Sequence, residues 1–266
     1  MPEVQVAFDD AAAYDRLMGA WSRAIGERFL DWLAPPPAQR WLDIGCGAGA
    51  FTQMILHRCS PQSIVGADPA AAQVDYARRA ILSAEFRVAD AMALPFADGE
   101  LDIVASALVI NFIPDRAKAF AEMHRVLRPG GLVAGYVWLR SESANDAPFA
   151  PIERGLEAIG ANVLRPPMRP EANPDGARVA LQAAGFTDIA VTLLEATRTF
   201  ETFADYWDLH CLPISPAGQA IAALSEEGRA RLRQVMQTIL PAAADGSVSS
   251  TSRATAFSAR KPDGGR

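Results

Sequence analysis

A short apolar run that leads into a glycine-rich turn constrains the fold of this chain more than any other feature. Residues 40–52 read RWLDIGCGAGAFT, and the turn holds Gly45, Gly47 and Gly49. One glycine permits a tight turn out of a strand, one lets a ligand reach bare backbone, and one lets a helix pack closely on the strand. The pattern therefore predicts the first strand, turn and helix of a nucleotide-binding sheet.

The glycine spacing alone leaves more than one class of ligand open. Gly45, Gly47 and Ala50 also satisfy the dinucleotide pattern G-x-G-x-x-G/A. No Lys or Arg occurs between Asp43 and His57, so the turn lacks the lysine with which a P-loop holds a triphosphate. The residues around the turn are therefore needed to choose among the remaining classes of ligand.

Three apolar runs end in an aspartate. Asp43 lies at the end of the first run, Asp68 in SIVGADPA and Asp90 in AEFRVADAMALPF. Parallel strands bring their carboxyl ends to one edge of a sheet, so we expect the three carboxylates at a common rim. Asp68 follows the glycines at the spacing, about twenty residues, at which an acid can accept hydrogen bonds from both ribose hydroxyls.

Strand-like and helical patterns alternate regularly from residue 41 to residue 139. This alternation indicates right-handed crossovers and a mainly parallel, doubly wound α/β sheet. The predicted strands are 41–45, 63–67, 85–89, 101–108, 132–138, 188–200 and 249–262, and the predicted helices between the first five are 49–58, 70–82 and 114–127. Residues 10–34 and 203–240 also have helical spacing, and the proline-rich stretch 140–175 is predicted to be an insertion.

Composition narrows the functional classes. A net charge of −6 without a basic patch argues against nucleic acid as a partner. The three cysteines, at positions 46, 59 and 211, form neither a metal pair nor a disulfide framework, and the N-terminus lacks a signal-peptide pattern. These features predict a cytoplasmic protein. No apolar stretch reaches the length of a membrane span, and the oligomeric state stays open between monomer and dimer.

Four motifs together resemble the class I S-adenosylmethionine-dependent methyltransferases, in particular the methyltransferase type 11 group, which includes quinone-biosynthesis C-methyltransferases. The motifs are DIGCGAG, VGADPA, ADAMALPFADGELDIVASALVINFIPD and EMHRVLRPGGLVAGYVW, and the resemblance covers residues 10–140. It implies a seven-stranded Rossmann-like sheet whose last strand lies antiparallel beside the fifth. It also implies S-adenosyl-L-methionine as the cofactor, with S-adenosyl-L-homocysteine as the product.

The sequence pattern and the resemblance together divide the chain into functional segments. Residues 1–40 are expected to form an N-terminal helical cover and residues 41–139 the cofactor-binding core. Segments 140–175 and 201–245 would form a helical lid for the acceptor, and segments 176–200 and 246–262 the last strands.

The resemblance also implies roles at the predicted rim. The turn from Gly45 to Gly49 would wrap the methionine part of the cofactor, Asp68 would hold the ribose, and Asp90 with the backbone of Ala91 would read the adenine. The full predicted cofactor set is Tyr14, Trp21, Asp43, Gly45, Cys46, Gly47, Gly49, Asp68, Pro69, Gln73, Asp90, Ala91 and Ala107.

Several of these residues have a purely structural alternative. Tyr14, expected to bond the cofactor carboxylate, and Trp21, expected to wall the pocket, lie on a segment that also reads as a helix packed on the sheet. The alternative role for Asp68 is a solvated acid in a turn, and that for Asp90 is a helix cap. The alternative role for Asp43 is a structural acid that accepts hydrogen bonds from loop amides.

Methyl transfer from a sulfonium requires aligned donor and acceptor with water excluded, and O- or C-methylation also requires a base. His57 and His124 are expected on helices away from the ligand edge, which leaves His210 as the candidate base, or as a packed residue on an aromatic face. Asn111, after the fourth strand, is predicted to position a polar group of the acceptor, or to cap a turn. Cys46 is expected to be a small filler, because no nearby basic residue lowers its pKa.

The sequence favours a methyltransferase that acts by in-line displacement on a small, hydrophobic or aromatic acceptor, because the predicted lid is aromatic at Phe203, Tyr206 and Trp207. A nicotinamide-dependent oxidoreductase would account for the glycines and Asp68 but not for Asp90. A non-catalytic module that binds S-adenosylmethionine also stays open, because no residue is a convincing base.

Overall fold

A computed structural model describes residues 15–140, 146–163 and 169–264. These residues form two compact units, which we call the sheet unit and the helical unit. The sheet unit comprises residues 25–140, 169–194 and 254–264, and the helical unit comprises residues 15–24, 146–163 and 195–253.

Seven strands form one sheet. They are Arg40–Ile44 (β1), Ser63–Asp68 (β2), Glu85–Val88 (β3), Leu101–Ala107 (β4), Leu127–Trp138 (β5), Thr187–Phe200 (β6) and Val248–Arg260 (β7). Their order across the sheet is β3-β2-β1-β4-β5-β7-β6. The first five strands pair in parallel, whereas β7 runs antiparallel to β5. The predicted mainly parallel α/β fold, with an antiparallel last strand beside the fifth, is confirmed.

Helices connect most of the strands. They are Ala20–Leu33 (α1), Ala50–Cys59 (α2), Ala71–Ala80 (α3), Arg116–Val126 (α4), Ala150–Ala158 (α5), Pro174–Ala183 (α6), Phe203–His210 (α7), Pro216–Ala222 (α8) and Glu226–Ile239 (α9). A π-helical turn, Asp15–Gly19, precedes α1. None of the helices in the described ranges is both long enough and apolar enough to cross a membrane.

The stretch 203–240, which was predicted to be helical, consists of three helices. Ser215 accepts a hydrogen bond from the N–H of Gly218 and starts α8, and Ser225 accepts one from Gly228 and starts α9. Pro216 occupies the first turn of α8. Serine caps and an N-terminal proline are ordinary start signals, so local sequence sets both boundaries.

Strand β5 begins earlier than the predicted residue 132. Leu127 already pairs with Leu101, and the register then shifts before the next paired residue of β4. Residues 129–131, which fall between the predicted helix 114–127 and the predicted strand 132–138, lie inside β5. Pro129 lacks an N–H and Gly130 has a φ of 70°, so this segment forms an irregularity in the ladder instead of ending it.

The sheet unit has an apolar core on both faces of its central strands. One cluster joins the strands to α4 and α6 through Leu42, Val104, Val133, Phe120 and Leu181. Elsewhere in this unit Phe29, Phe51 and Tyr136 form an aromatic group, with ring centroids 4.8 Å apart for Phe29 and Tyr136. These contacts fix β1 and β4, whose carboxyl ends carry the predicted site.

The helical unit has a core of its own, which includes Leu156, Tyr206, Trp207, Ile221, Leu232 and Met236. Helices α5 and α9 pack closely because Gly155 lies against Met236, where an added Cβ would be 2.4 Å from Sδ. Thr202 and Asp205 form a capping box at the start of α7. Tyr206 and Trp207, which the sequence placed on an aromatic face, are buried in this core.

Candidate active site

The glycine turn joins β1 to α2, and all three of its glycines have a positive φ. An added Cβ on Gly45 would lie 2.4 Å from Val109, and one on Gly49 would lie 2.5 Å from Ile81. At Gly47 no heavy atom lies within 4 Å of such a Cβ. Two of the glycines therefore permit close packing, and Gly47 leaves its backbone open to a ligand.

Asp68, at the end of β2, binds this turn. Its Oδ2 accepts the N–H of Gly47 at 3.0 Å, and its Oδ1 accepts the N–H of Ala70 at 2.9 Å. The side chain is half-buried. A carboxylate has about four lone-pair sites, so Asp68 can hold the turn and still accept further hydrogen bonds.

Asp43, at the end of β1, is 1% exposed. Its Oδ2 accepts the hydroxyl of Thr52 at 2.6 Å, and its Oδ1 has no partner among the described residues. Burial raises the pKa of Asp43 to about 7, the charge of Asp68 also raises it, and the Thr52 hydrogen bond opposes the shift. The rim therefore contains a buried acid whose pKa lies near neutral pH.

Asp90 lies two residues beyond β3 and is exposed. Its Oδ1 accepts the N–H of Met92 at 2.8 Å, so the carboxylate caps a turn rather than a helix. The carbonyl of Asp68 accepts the N–H of Ala89, which ties the ends of β2 and β3 together. Ala91, next to Asp90, is buried.

The remaining predicted cofactor residues of the sheet unit surround these acids. Pro69 is exposed after β2, Gln73 is half-buried in the first turn of α3, and Ala107 ends β4. Cys46 is buried, and burial raises the pKa of its thiol, with the charges of Asp43 and Asp68 adding to the effect. A thiol with a raised pKa is a poor nucleophile.

The chain leaves β4 through a strained residue. Leu108 has a φ of 63°, and its N–H donates to the carbonyl of Tyr136 at 2.8 Å. The next residue, Val109, packs against Gly45 of the glycine turn. Asn111 follows in a 3₁₀ turn, Ile110–Phe112, and its Oδ1 is buried without a partner in the part of the chain that the structure describes.

His210 belongs to the helical unit and is 3% exposed. Its Nδ1 lies 2.8 Å from the carbonyl of Tyr206, and its ring stacks on Tyr206 with centroids 4.0 Å apart. Burial lowers the pKa of His210 to about 4. These properties are typical of a packed histidine and do not favour a general base. Trp21 is buried in α1, and Tyr14 lies outside the described residues.

Sequence reasoning missed Thr52 and Val109. Thr52 bonds Asp43 from the first turn of α2, and Val109 fills the space above Gly45. The sequence carries no signal for either contact, because each depends on how the glycine turn bends.

Comparison with known proteins agrees with this geometry. A family model described as "Methyltransferase domain" matches residues 42–135. This range contains most of β1, the glycine turn, β2 to β4 and most of β5. This part of the chain therefore resembles a methyltransferase domain.

Two relatives match a little under half of the chain at moderate identity. A malonyl-[acyl-carrier protein] O-methyltransferase of Serratia marcescens is 34% identical over 130 residues, 49% of this chain and 50% of that protein. A ubiquinone/menaquinone biosynthesis C-methyltransferase of Dinoroseobacter shibae is 37% identical over 123 residues, 44% of this chain and 49% of that protein. The chain spans about half the length of these relatives.

Solved structures share the fold of this chain over most of its length. Phosphoethanolamine N-methyltransferase 2 of Haemonchus contortus, in complex with S-adenosyl-L-methionine, has a TM-score of 0.56 and 21% identity, covering 97% of this chain and 58% of that chain. Geranyl diphosphate C-methyltransferase of Streptomyces coelicolor has a TM-score of 0.53 and 17% identity, covering 90% of this chain and 76% of that chain.

Proposed function

We propose that this chain is an S-adenosylmethionine-dependent methyltransferase that transfers a methyl group to a small, hydrophobic or aromatic acceptor. The observation that carries the proposal is the open backbone of Gly47, held by Asp68 inside a methyltransferase domain. A bulky cofactor can approach the turn there without displacing a side chain.

The residues at this edge of the sheet fit the cofactor. The turn from Gly45 to Gly49 would hold its methionine part, Asp68 has acceptor capacity for ribose hydroxyls, and exposed Asp90 would contact the adenine. When bound, the cofactor supplies an electrophilic methyl group. The protein's part is to align the acceptor with that group and to exclude water, which is worth roughly 7 kcal/mol or more in the best-aligned intramolecular cases.

One observation supports a largely apolar acceptor. Phe112 is 60% exposed beside Asn111, after the carboxyl end of β4. We propose that Phe112 contacts the apolar body of the acceptor, that Asn111 binds a polar group of it, and that His210 is a packing residue. The cytoplasmic location and the lid role of segments 140–175 and 201–245 remain part of this proposal.

Titration calorimetry with S-adenosylhomocysteine tests the cofactor assignment, with NADH as the comparison. We expect heat of binding with S-adenosylhomocysteine and none with NADH. Heat with NADH alone would favour a nicotinamide-dependent oxidoreductase. A screen of phenols, quinones and fatty acids with radiolabelled methyl donor then tests catalysis. Cofactor binding without transfer to any acceptor would instead favour a non-catalytic binding module.

A further inference from the structure

Two buried oxygen atoms without hydrogen-bond partners lie in neighbouring turns of the sheet unit. One is Oδ1 of Asn111, in the turn Ile110–Phe112, and the other is Oε2 of Glu171, in the 3₁₀ turn Pro170–Ala172. The two turns pack against each other. Neither oxygen has a donor within the described ranges, although a buried acceptor left unsatisfied costs on the order of 1–3 kcal/mol.

Both turns are anchored at the edge of the sheet where the cofactor is proposed to bind. The left-handed Leu108 and the contact of Val109 with Gly45 bring the Ile110–Phe112 turn beside the glycine turn. The other turn is held through Ala172, whose carbonyl accepts the hydroxyl of Thr255 at 2.9 Å. Strained backbone at such a position is a common feature of functional sites.

Arg116 already balances the negative charge of Glu171. Glu171 is 8% exposed, and its Oε1 accepts the Nε–H of Arg116 at 3.0 Å. The Arg116 Nη1 donates in turn to the carbonyl of Ile113 at 3.2 Å. Because Arg116 neutralises the carboxylate, the second oxygen requires a hydrogen-bond donor but not a further cation.

We propose that Asn111 and Glu171 together recognise a hydroxyl or N–H group on the methyl acceptor, an inference that rests on the proposed methyltransferase function. An acceptor oxygen attracts such a donor and repels a carboxylate or phosphate placed beside it. With Phe112 exposed beside Asn111, the acceptor class is an apolar or aromatic molecule that carries a neutral hydrogen-bond donor.

Four naphthalene derivatives test this specificity. 2-Naphthol and 2-aminonaphthalene present a donor on an apolar body, 2-methoxynaphthalene lacks the donor, and 2-naphthoate presents an anion. Binding to the full chain is measured by ligand-observed NMR, with and without S-adenosylhomocysteine. We expect the two donor-bearing probes to bind roughly tenfold more tightly than the other two, since a satisfied buried acceptor discriminates by about one hydrogen bond.

Two variants test whether Asn111 and Glu171 cause the difference in affinity between the probes. Asn111→Leu removes one acceptor at similar volume, and Glu171→Gln keeps an oxygen for Arg116 but removes the carboxylate. Each is expected to weaken 2-naphthol binding roughly tenfold and to change 2-methoxynaphthalene binding less than about twofold. The matched controls are Asn162→Leu on an exposed segment and Glu122→Gln, whose oxygens are both bonded, one by Arg125 and the other by Arg125 and the Leu94 N–H.

Equal affinity for donor-bearing and donor-blocked probes would overturn the proposal, as would a complete lack of binding by all four. If both variants lower thermal stability without changing the ratio of probe affinities, the two oxygens serve a structural water and not an acceptor. Calorimetry with S-adenosylhomocysteine separates this failure from failure of the proposed function, because cofactor heat does not depend on probe binding.

Discussion

The backbone N–H of Gly47 donates to Oδ2 of Asp68 over 3.0 Å. This bond joins the turn after β1 to the end of β2, and the same carboxylate accepts the N–H of Ala70. Gly47 is also the glycine with open space beside it. Asp68 therefore shapes the part of the turn that a ligand would approach, as well as offering its own oxygens to that ligand.

We expect Asp68→Ala to weaken binding of S-adenosylhomocysteine by about 1–3 kcal/mol, because ribose hydroxyls lose their acceptor and the Gly47 amide loses its anchor. Titration calorimetry measures the change. Asp75→Ala is the matched control, since Asp75 is an exposed acid on α3 that pairs with Arg78. Equal affinities for the Asp68 variant and the native protein would remove Asp68 from the proposed site.

Alanine at Gly47 and at Gly49 should have different consequences. Gly47→Ala meets no neighbour, so we expect only the cost of a left-handed alanine, about 1–2 kcal/mol in unfolding free energy, together with a loss of cofactor affinity. Gly49→Ala places a Cβ 2.5 Å from Ile81 and should destabilise the protein further. Denaturant unfolding and calorimetry separate the two effects.

Gly160→Ala provides the control for backbone strain, because Gly160 has a φ of 77° and no neighbour within 4 Å of an added Cβ. It should match Gly47→Ala in stability and leave cofactor affinity unchanged. Unchanged affinity in Gly47→Ala would contradict the assignment of this backbone to ligand binding.

Local pattern predicted most of the sheet unit. The apolar residues of β1, the glycines after it and the acid at the end of β2 are each recognisable from neighbouring residues, and alternation of strands with helices specifies a parallel order. The predicted rim follows from that order. Asp43 pairs with Gly66 in the parallel ladder, which places the end of β1 beside the end of β2 and Asp68.

Contacts between distant segments were not predictable in this way. Glu171 and Arg116 are separated by 55 residues, and no local sequence pattern around either residue predicts their ion pair. The early start of β5 has the same cause, because Leu127 pairs with Leu101 despite the following proline and glycines. Local propensity describes what a segment prefers alone, and tertiary pairing overrides it.

His210→Phe tests the base assignment left open by the sequence. With its pKa lowered to about 4 by burial, His210 is neutral at physiological pH and its Nδ1 is engaged by Tyr206. We therefore expect methyl transfer within about twofold of native, since Phe preserves the packing on Phe200 and Phe149. A large loss of rate in a variant with native thermal stability would restore His210 as a catalytic group.

Asp43 should make stability depend on pH in a defined direction. Its folded pKa, about 7, lies above its ordinary value of 3.8, so the folded state binds the proton more tightly than the unfolded state does. The contribution of protonated Asp43 to the free energy of unfolding is fully present below about pH 4 and is lost as pH rises to about 7. The free energy of unfolding then falls by at most about 1.4 kcal/mol per pH unit. Asp43→Asn should lack this slope in denaturant unfolding.

Thr52→Val provides a second test of the raised pKa of Asp43. The Thr52 hydroxyl favours the ionised form of Asp43 through its 2.6 Å hydrogen bond, so its removal should raise the pKa of Asp43 further. The pH window in which stability is lost should then extend upward, while the Asp43→Asn curve should not respond to the added Thr52→Val change. Parallel pH curves for the native protein and Asp43→Asn would show that burial of this carboxylate does not control its protonation.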